Sequence, residues 1–413
     1  MRADHIGVPM KLKACFCWTF LAAVLTNLSG CGSSANTIKI VSSLPRTGSA
    51  KNQTDSMANG IKLALDEVGY KVGDFTIRYE DMDDATAAAG QATDDQEQAN
   101  ALEAANDPSV MVYLGPYNSG VARGSMKLLN EAGLLMISPA NTAVGLTKPG
   151  LGEQGEPECY RPTGKINYFR VVPADDLQGT CGAEWAHDMG IKKVYVLDDK
   201  QFYGNGLSNI FEKKARELGI QVLGHDSLEP NTQEFRSKIT EILSLAPDLV
   251  YFGGTTQTKG GQLCKELFEA GFKGKLMVPD GCMETAFIEA AGPENANDRV
   301  FVTFGGVVPE KLTGGGKEFV DRYKTKYGIM PEAYAIYSYE AAKVALDAIR
   351  KVGEKDRKKI MEACRETKDF PGALGTWSFD KNGDTTLKKL SGSVVHDGKF
   401  EFVKMLGEDS ETK

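Results

Sequence analysis

The sequence predicts an α/β protein made of two doubly wound parallel-sheet lobes joined by a hinge of several crossovers. Three observations lead there. From residue 37 onward, short β-rich runs alternate with stretches of helical spacing, the pattern of parallel βαβ units. Gly69, Gly133, Gly190, Gly219 and Gly271 each close a helical stretch just before a strand, as left-handed helix-terminating glycines do. With 413 residues, the chain also exceeds the size at which a single hydrophobic core divides.

The elements follow in order. Residues 37–41, 75–80, 110–114 and 134–137 read as strands of the first lobe. Between the first two, Met57, Ile61, Ala64, Leu65 and Val68 recur at helical spacing and mark one buried face. A second series of strands is expected at 193–197, 220–224, 249–252, 276–278 and 300–303. Helices at 316–327 and 334–350 have no strand between them and are expected to cap the first lobe after the chain crosses back. Residues 375–379 and 391–403 are β-rich, and 144–166, dense in Gly, Pro and Glu, reads as a surface insertion. The expected divisions are 1–30 signal peptide, 31–36 tether, 37–171 plus 307–374 first lobe, 172–306 plus 375–404 second lobe, and 405–413 tail.

The N-terminus has the order of an export signal. Lys11 and Lys13 precede an apolar run over 14–25 that is too short to span a bilayer, and small residues follow. Leu28-Ser29-Gly30-Cys31 resembles the bacterial lipobox, which implies an acylated Cys31 as the first mature residue; a plain cleaved signal with an incidental cysteine is the alternative. Either Met1 or Met10 serves as the start. The expected location is the periplasm or cell surface, tethered to the membrane through Cys31. Removing 1–30 takes away Arg2, Lys11, Lys13 and Asp4, making a chain of net charge −8 more acidic still. No basic stripe is available for nucleic acid, so none is expected as partner. Export permits disulfides. Cys159 with Cys181 and Cys264 with Cys282 are the sequence-near pairings among five remaining cysteines, Cys364 being the fifth, and spacing does not fix the connectivity. Their spacing and the scattered histidines do not make a metal site.

In open parallel sheets, ligands lie beyond the carboxyl ends of the strands. The loops expected to line a cleft between lobes are therefore 42–53, 81–84, 115–120, 138–142, 198–203, 253–257 and 279–282. Several stretches in these loops carry a resemblance. Leu134-Leu-Met-Ile-Ser-Pro-Ala-Asn-Thr142 followed by Gly145-Leu-Thr147, Phe169-Arg with Ala174-Asp175 and Gln178-Gly179, and Asp199-Lys-Gln-Phe-Tyr-Gly204 resemble the leucine/isoleucine/valine-binding family of periplasmic receptors, of type I fold. The resemblance implies a captured amino acid, an ATP-driven importer with permease and ATPase subunits as partners, no cofactor and a monomeric protein. Position by position, it implies that Ser119, with Asn118 beside it, meets the ligand carboxylate. Thr142 would contact carboxylate and ammonium, and Asn141 or Ala140 would offer a carbonyl to the ammonium. Tyr203 would close from the second lobe, and Asp280, where the family usually has Glu, would pair with the ammonium. Gln53 and Thr255 stand where relatives often carry aromatics, so the side-chain pocket is less apolar than a leucine site and a more polar amino acid or an amide is admitted. The family's disulfide near the first-lobe cleft is missing, Ala85 and Asn118 occupying that region.

Physical chemistry is consistent with these residue types. A zwitterion leaving water needs both charges met, and Ser119 is expected to open a helix whose N-terminus suits an anion. Other signals lead elsewhere only weakly. Gly314-Gly-Gly316 is not followed by the Lys-Ser/Thr of a phosphate loop, and Ser119 lacks the G-x-S-x-G elbow of a hydrolase. Asp81, Asp83 and Asp84 read as an acidic loop with one helix cap, and Tyr334, Tyr337 and Tyr339 as packing near the hinge. Two rivals to transport remain: a sensory lipoprotein that reports amino acids or short amides, and an exported hydrolase or transferase, for which no nucleophile–base pair is placed.

Overall fold

A computed structural model describes residues 36–229 and 232–407. Cys31 and the signal segment lie outside the described residues.

The first sheet begins with β1 (Thr37–Leu44), followed by α1 (Lys51–Glu67), β2 (Lys71–Val72) and β3 (Phe75–Asp83). A small hairpin of β4 (Ala85–Thr86) and β5 (Gln91–Ala92) precedes α2 (Asp94–Asn106). Then come β6 (Val110–Leu114), α3 (Ser119–Glu131), β7 (Leu135–Ser138) and β8 (Tyr168–Arg170). The strand order is β2-β3-β1-β6-β7-β8, parallel except for β2. Every residue of β6 is buried, as expected of a central strand covered by helices on both faces.

The second sheet starts after α4 (Asp175–Asp188). Its units are β9 (Lys193–Asp198), α5 (Phe202–Glu217), β10 (Gln221–Ser227), α6 (Arg236–Leu245), β11 (Leu249–Gly253), α7 (Gly260–Glu269) and β12 (Lys275–Val278). Short helices α8 (Thr285–Ala291) and α9 (Pro293–Ala296) lead to β13 (Val300–Phe304). Helices α10 (Gly315–Tyr327), α11 (Ala335–Val352) and α12 (Arg357–Arg365) follow, then the hairpin β14 (Phe370–Gly372) and β15 (Gly375–Trp377), and last β16 (Leu390–His396) and β17 (Lys399–Leu406). The order is β10-β9-β11-β12-β13-β16-β17, the last two strands antiparallel. Both lobes are therefore doubly wound.

Helix α11 packs on α1, β6 and β7, and Tyr323 of α10 hydrogen-bonds Ser56 of α1 at 2.9 Å, so both helices lie with the first lobe. The return to the second lobe comes later than residue 375. The hairpin β14–β15 packs on α11, the Phe379 and Phe169 rings meet at 4.9 Å, and Asp384 pairs with Arg170, so the chain rejoins the second sheet at β16. The 144–166 segment is likewise not surface throughout: Val144, Leu146, Thr147, Glu156 and Tyr160 are buried beneath its exposed turns.

Neither expected disulfide forms, since all five described cysteines are free. Cys159 is exposed whereas Cys181 is buried in α4. The Cys282 thiol turns to the Gly254 carbonyl at 3.6 Å instead of toward Cys264.

Candidate functional site

Each sheet has a switch point, where successive connections leave in opposite directions. In the first sheet it lies between β1 and β6, in the second between β9 and β11. The loops leaving these strands are where a doubly wound sheet opens a crevice. They converge: Tyr117, Asn118 and Ser119 after β6, Lys200 to Tyr203 after β9, and Thr255 and Gln257 after β11 line one cavity of about 400 Å³ with Ala140, Thr142, Asp280 and Tyr334.

One end of the cavity suits an anion. Ser119 opens α3 with Asn118 as an extended N-cap residue whose side chain makes no capping bond, and Ser119, Gly120 and Val121 all line the space. The first N–H groups of a helix have no intrahelical partner and carry its positive dipole end. The Ser119 hydroxyl oxygen accepts from the Thr142 and Ala143 N–H groups, at 3.2 and 3.4 Å, which locks the two loops together and leaves its own proton to donate.

The other end suits a cation. Asp280 is 3% exposed, and Gln178 donates to it at 2.6 Å while the hydroxyls of Tyr203 and Tyr334 donate to its two oxygens. Burial raises its pKa above the usual carboxylate range, against the lowering effect of those three donors. Beside it, at the start of α4, Asp175 is buried with no hydrogen-bond partner for either carboxylate oxygen among the described residues. Burial and the adjacent Asp280 charge push it well above the usual range. On the second-lobe wall, burial lifts Asp199 to about 7, opposed by bonds from the Thr258 hydroxyl and the Gln201 N–H. Together these groups can meet a carboxylate at one end and an amine at the other.

Seven of the nine residues expected to touch ligand line this cavity: Ser119, Asn118, Ala140, Thr142, Tyr203, Thr255 and Asp280. Two do not. Asn141 is fully buried as scaffold, its amide donating to the Tyr117 carbonyl at 2.9 Å and accepting from the Tyr168 hydroxyl at 3.1 Å. Its own carbonyl accepts from Arg170 at 3.3 Å. Gln53 is also fully buried; it donates to the Met283 carbonyl at 3.3 Å and accepts from the Tyr334 N–H at 3.1 Å, bracketing the wall from behind. Conversely, Tyr334 reaches Asp280 directly, beyond the packing role expected of it. Gln178 belongs to the Ala174–Gly179 stretch and Gln257 to the 253–257 loop, but neither stretch by itself assigns them a role.

The model of the periplasmic binding protein family matches residues 37–393. A Leu/Ile/Val-binding protein homolog 1 of Brucella abortus is 30% identical over 71% of this chain and 75% of its own length. Leu/Ile/Val-binding protein BraC3 of Rhizobium johnstonii is 28% identical over 84% and 88%. Among solved structures, the leucine binding protein LivK of Thermotoga maritima superposes with a TM-score of 0.79 at 28% identity, over 90% of this chain and 99% of that one. LivJ of Streptococcus pneumoniae, in complex with isoleucine, shares the fold at a TM-score of 0.77 and 21% identity, over 89% and 99%. Two doubly wound lobes with their switch points facing one cavity, and a family match across nearly all of the described chain, place it: the chain belongs to the periplasmic binding protein family.

Proposed function

We propose that this protein is the extracytoplasmic solute-binding component of an ABC importer, capturing an amino acid between its lobes and delivering it to a permease without transforming it. The observation that carries this reading is the pairing, within one cavity, of the α3 N-terminus at Ser119 with the buried Asp280 carboxylate. A free α-amino acid presents the complementary charges. Each charge-assisted hydrogen bond contributes roughly 1.5–3 kcal/mol, so a few of them reach the ~8 kcal/mol of a micromolar complex. The Leu/Ile/Val-binding relatives and the leucine-binding neighbour support an amino acid as cargo. Anchoring through an acylated Cys31 and action as a monomer belong to the same reading.

Calorimetry with the twenty amino acids on the purified mature protein is the test. At least one should bind, and Asp280→Asn should weaken it by about 10- to 100-fold, the worth of one charge-assisted contact. A folded protein that answers to none of them would overturn the proposal.

A further inference from the structure

The loop after β12, from Asp280 to Thr285 at the start of α8, belongs to the second lobe, and three first-lobe groups grip it. The Tyr334 hydroxyl donates to the Asp280 carboxylate. Gln53, in the first turn of α1, donates through Nε2 to the Met283 carbonyl at 3.3 Å. Glu332 accepts through Oε1 from the Thr285 hydroxyl at 2.8 Å. The first grip belongs to the cavity, but Gln53, Met283, Thr285 and Glu332 are not among the residues that line it.

Both outer grips are anchored in the first lobe. Gln53 Oε1 accepts from the Tyr334 N–H at 3.1 Å, and the Glu332 N–H donates to the Ser56 hydroxyl of α1 at 2.9 Å. The Gln53 amide has one workable orientation: turned over, it would set its NH2 against an N–H and its oxygen against a carbonyl. Met283 donates its own N–H to the Asp280 carbonyl at 2.9 Å, so the Gln53 bond ends on the turn that carries the ammonium-facing carboxylate. The two bonds of Gln53 differ in kind. The one to Tyr334 stays within the first lobe, whereas the one to Met283 exists only while the lobes are together. A contact made in the closed form alone favours that form, and apparent affinity follows the population of the form able to hold the ligand. Resting on the amino-acid reading above, we infer that Gln53 is a positioning residue which, with the Thr285–Glu332 pair, forms a latch behind the site and sets how tightly cargo is held without touching it.

Two variants separate the bonds. In Gln53→Glu the carboxylate keeps an acceptor for the Tyr334 N–H and has no donor for Met283, and Gln53→Met removes both bonds without adding charge. Calorimetry on the intact mature protein, with whichever of the twenty amino acids binds the wild type tightest, should show each variant weaker by on the order of tenfold, the worth of one buried hydrogen bond. In stopped flow that loss should fall on the dissociation rate, with association within about twofold of wild type, because a latch acts after capture. Thr285→Val, whose bond lies toward solvent, should weaken binding by about two- to fivefold; if circular dichroism shows that neither Gln53 variant folds, it decides alone. Wild-type affinity in a folded Gln53 variant, or a loss carried by the association rate, overturns the latch and leaves the amino-acid reading in place. A folded wild type that binds no amino acid overturns both.

Discussion

Replacing Arg170 tests how the ligand-facing loops are held. At the end of β8 this guanidinium is fully buried. Its Nε donates to Asp384 at 2.7 Å, Nη1 to the carbonyls of Ala143 at 2.8 Å and Asn141 at 3.3 Å, and Nη2 to the Thr147 hydroxyl at 2.5 Å. One side chain thus fastens both the 384 turn and the loop carrying Ala140 and Thr142. Burial acts to raise the Asp384 pKa, yet the Arg170 charge and hydrogen bond hold it below its ordinary value. In Arg170→Met that carboxylate stays buried without its paired cation, a defect of about 3–5 kcal/mol. Unfolding entropy of about 2.1 cal/mol/K per residue, over about 370 residues, converts this to a fall in Tm of ~4–6 °C. The double variant Arg170→Met/Asp384→Asn should be more stable than Arg170→Met alone, since the stranded charge has gone. Differential scanning calorimetry of wild type, both single variants and the double completes the cycle. A fall below about 1 °C for Arg170→Met, or a double variant equal to the sum of the singles, would refute the argument.

Burial raises Glu97 and Asp199 to about 7 and Glu284 to about 8. The folded state therefore holds protons that the unfolded chain has already released, and stability present at pH below the ordinary carboxylate range is lost as pH rises through 7 and 8. The urea midpoint of the ligand-free protein should fall between about pH 5.5 and 8.5; a rise over that interval contradicts the assignment. Arg357 donates to four carbonyls at and beyond the C-terminus of α2, those of Ala104, Ala105, Asp107 and Val110, at 2.6 to 3.1 Å. Arg357→Ala should cost about 2–4 kcal/mol, with faster amide exchange through 104–112; unchanged stability and exchange would show those carbonyls to be indifferent to it. Thiol titration should find Cys159 reactive in the native protein and Cys181, Cys264, Cys282 and Cys364 only after unfolding, with no effect of reductant on Tm. A reductant-sensitive Tm would reinstate a disulfide.

What could be read from the sequence was what short-range chemistry dictates. Period-3.6 apolar spacing located α1, β-rich runs located the central strands, and glycine stops located the helix ends; these together placed the strand-end loops, while the choice of Ser119, Tyr203, Thr255 and Asp280 within them came from the family resemblance. The failures share a different cause. Gln53 closes the expected loop 42–53 and stands where relatives often carry an aromatic, but it lies within the first turn of α1, and the helix turns its amide toward Met283 and Tyr334. Asn141 sits next to Thr142 in the same loop, and nothing local reveals that its amide is tied to Tyr117 and Tyr168. Arg170 and Asp384 are 214 residues apart, so no spacing rule joins them, and the late return of the chain at β16 follows from that pairing. Strand β8 spans only three residues, too few for an alternation pattern to register.

The convergence on Asp280 bears on how binding and lobe closure are linked. Gln178 and Tyr203 approach it from α4 and α5, on the second-sheet side, while Tyr334 comes from the residue preceding α11, which packs on the first sheet. One carboxylate thus takes donors from both lobes, and its charge is felt on both. Next to it, Asp175 is buried with neither oxygen hydrogen-bonded among the described residues, and burial together with the neighbouring charge disfavours ionisation of both, a cost that a cation beside them relieves. On the proposed reading, the ligand ammonium is that cation. It makes the ionised form of Asp280 favourable, and an ionised carboxylate is the stronger acceptor for the Tyr203 and Tyr334 hydroxyls. Ionisation of that one carboxylate then strengthens the contacts that hold the lobes together, which is a physical route from capture to closure.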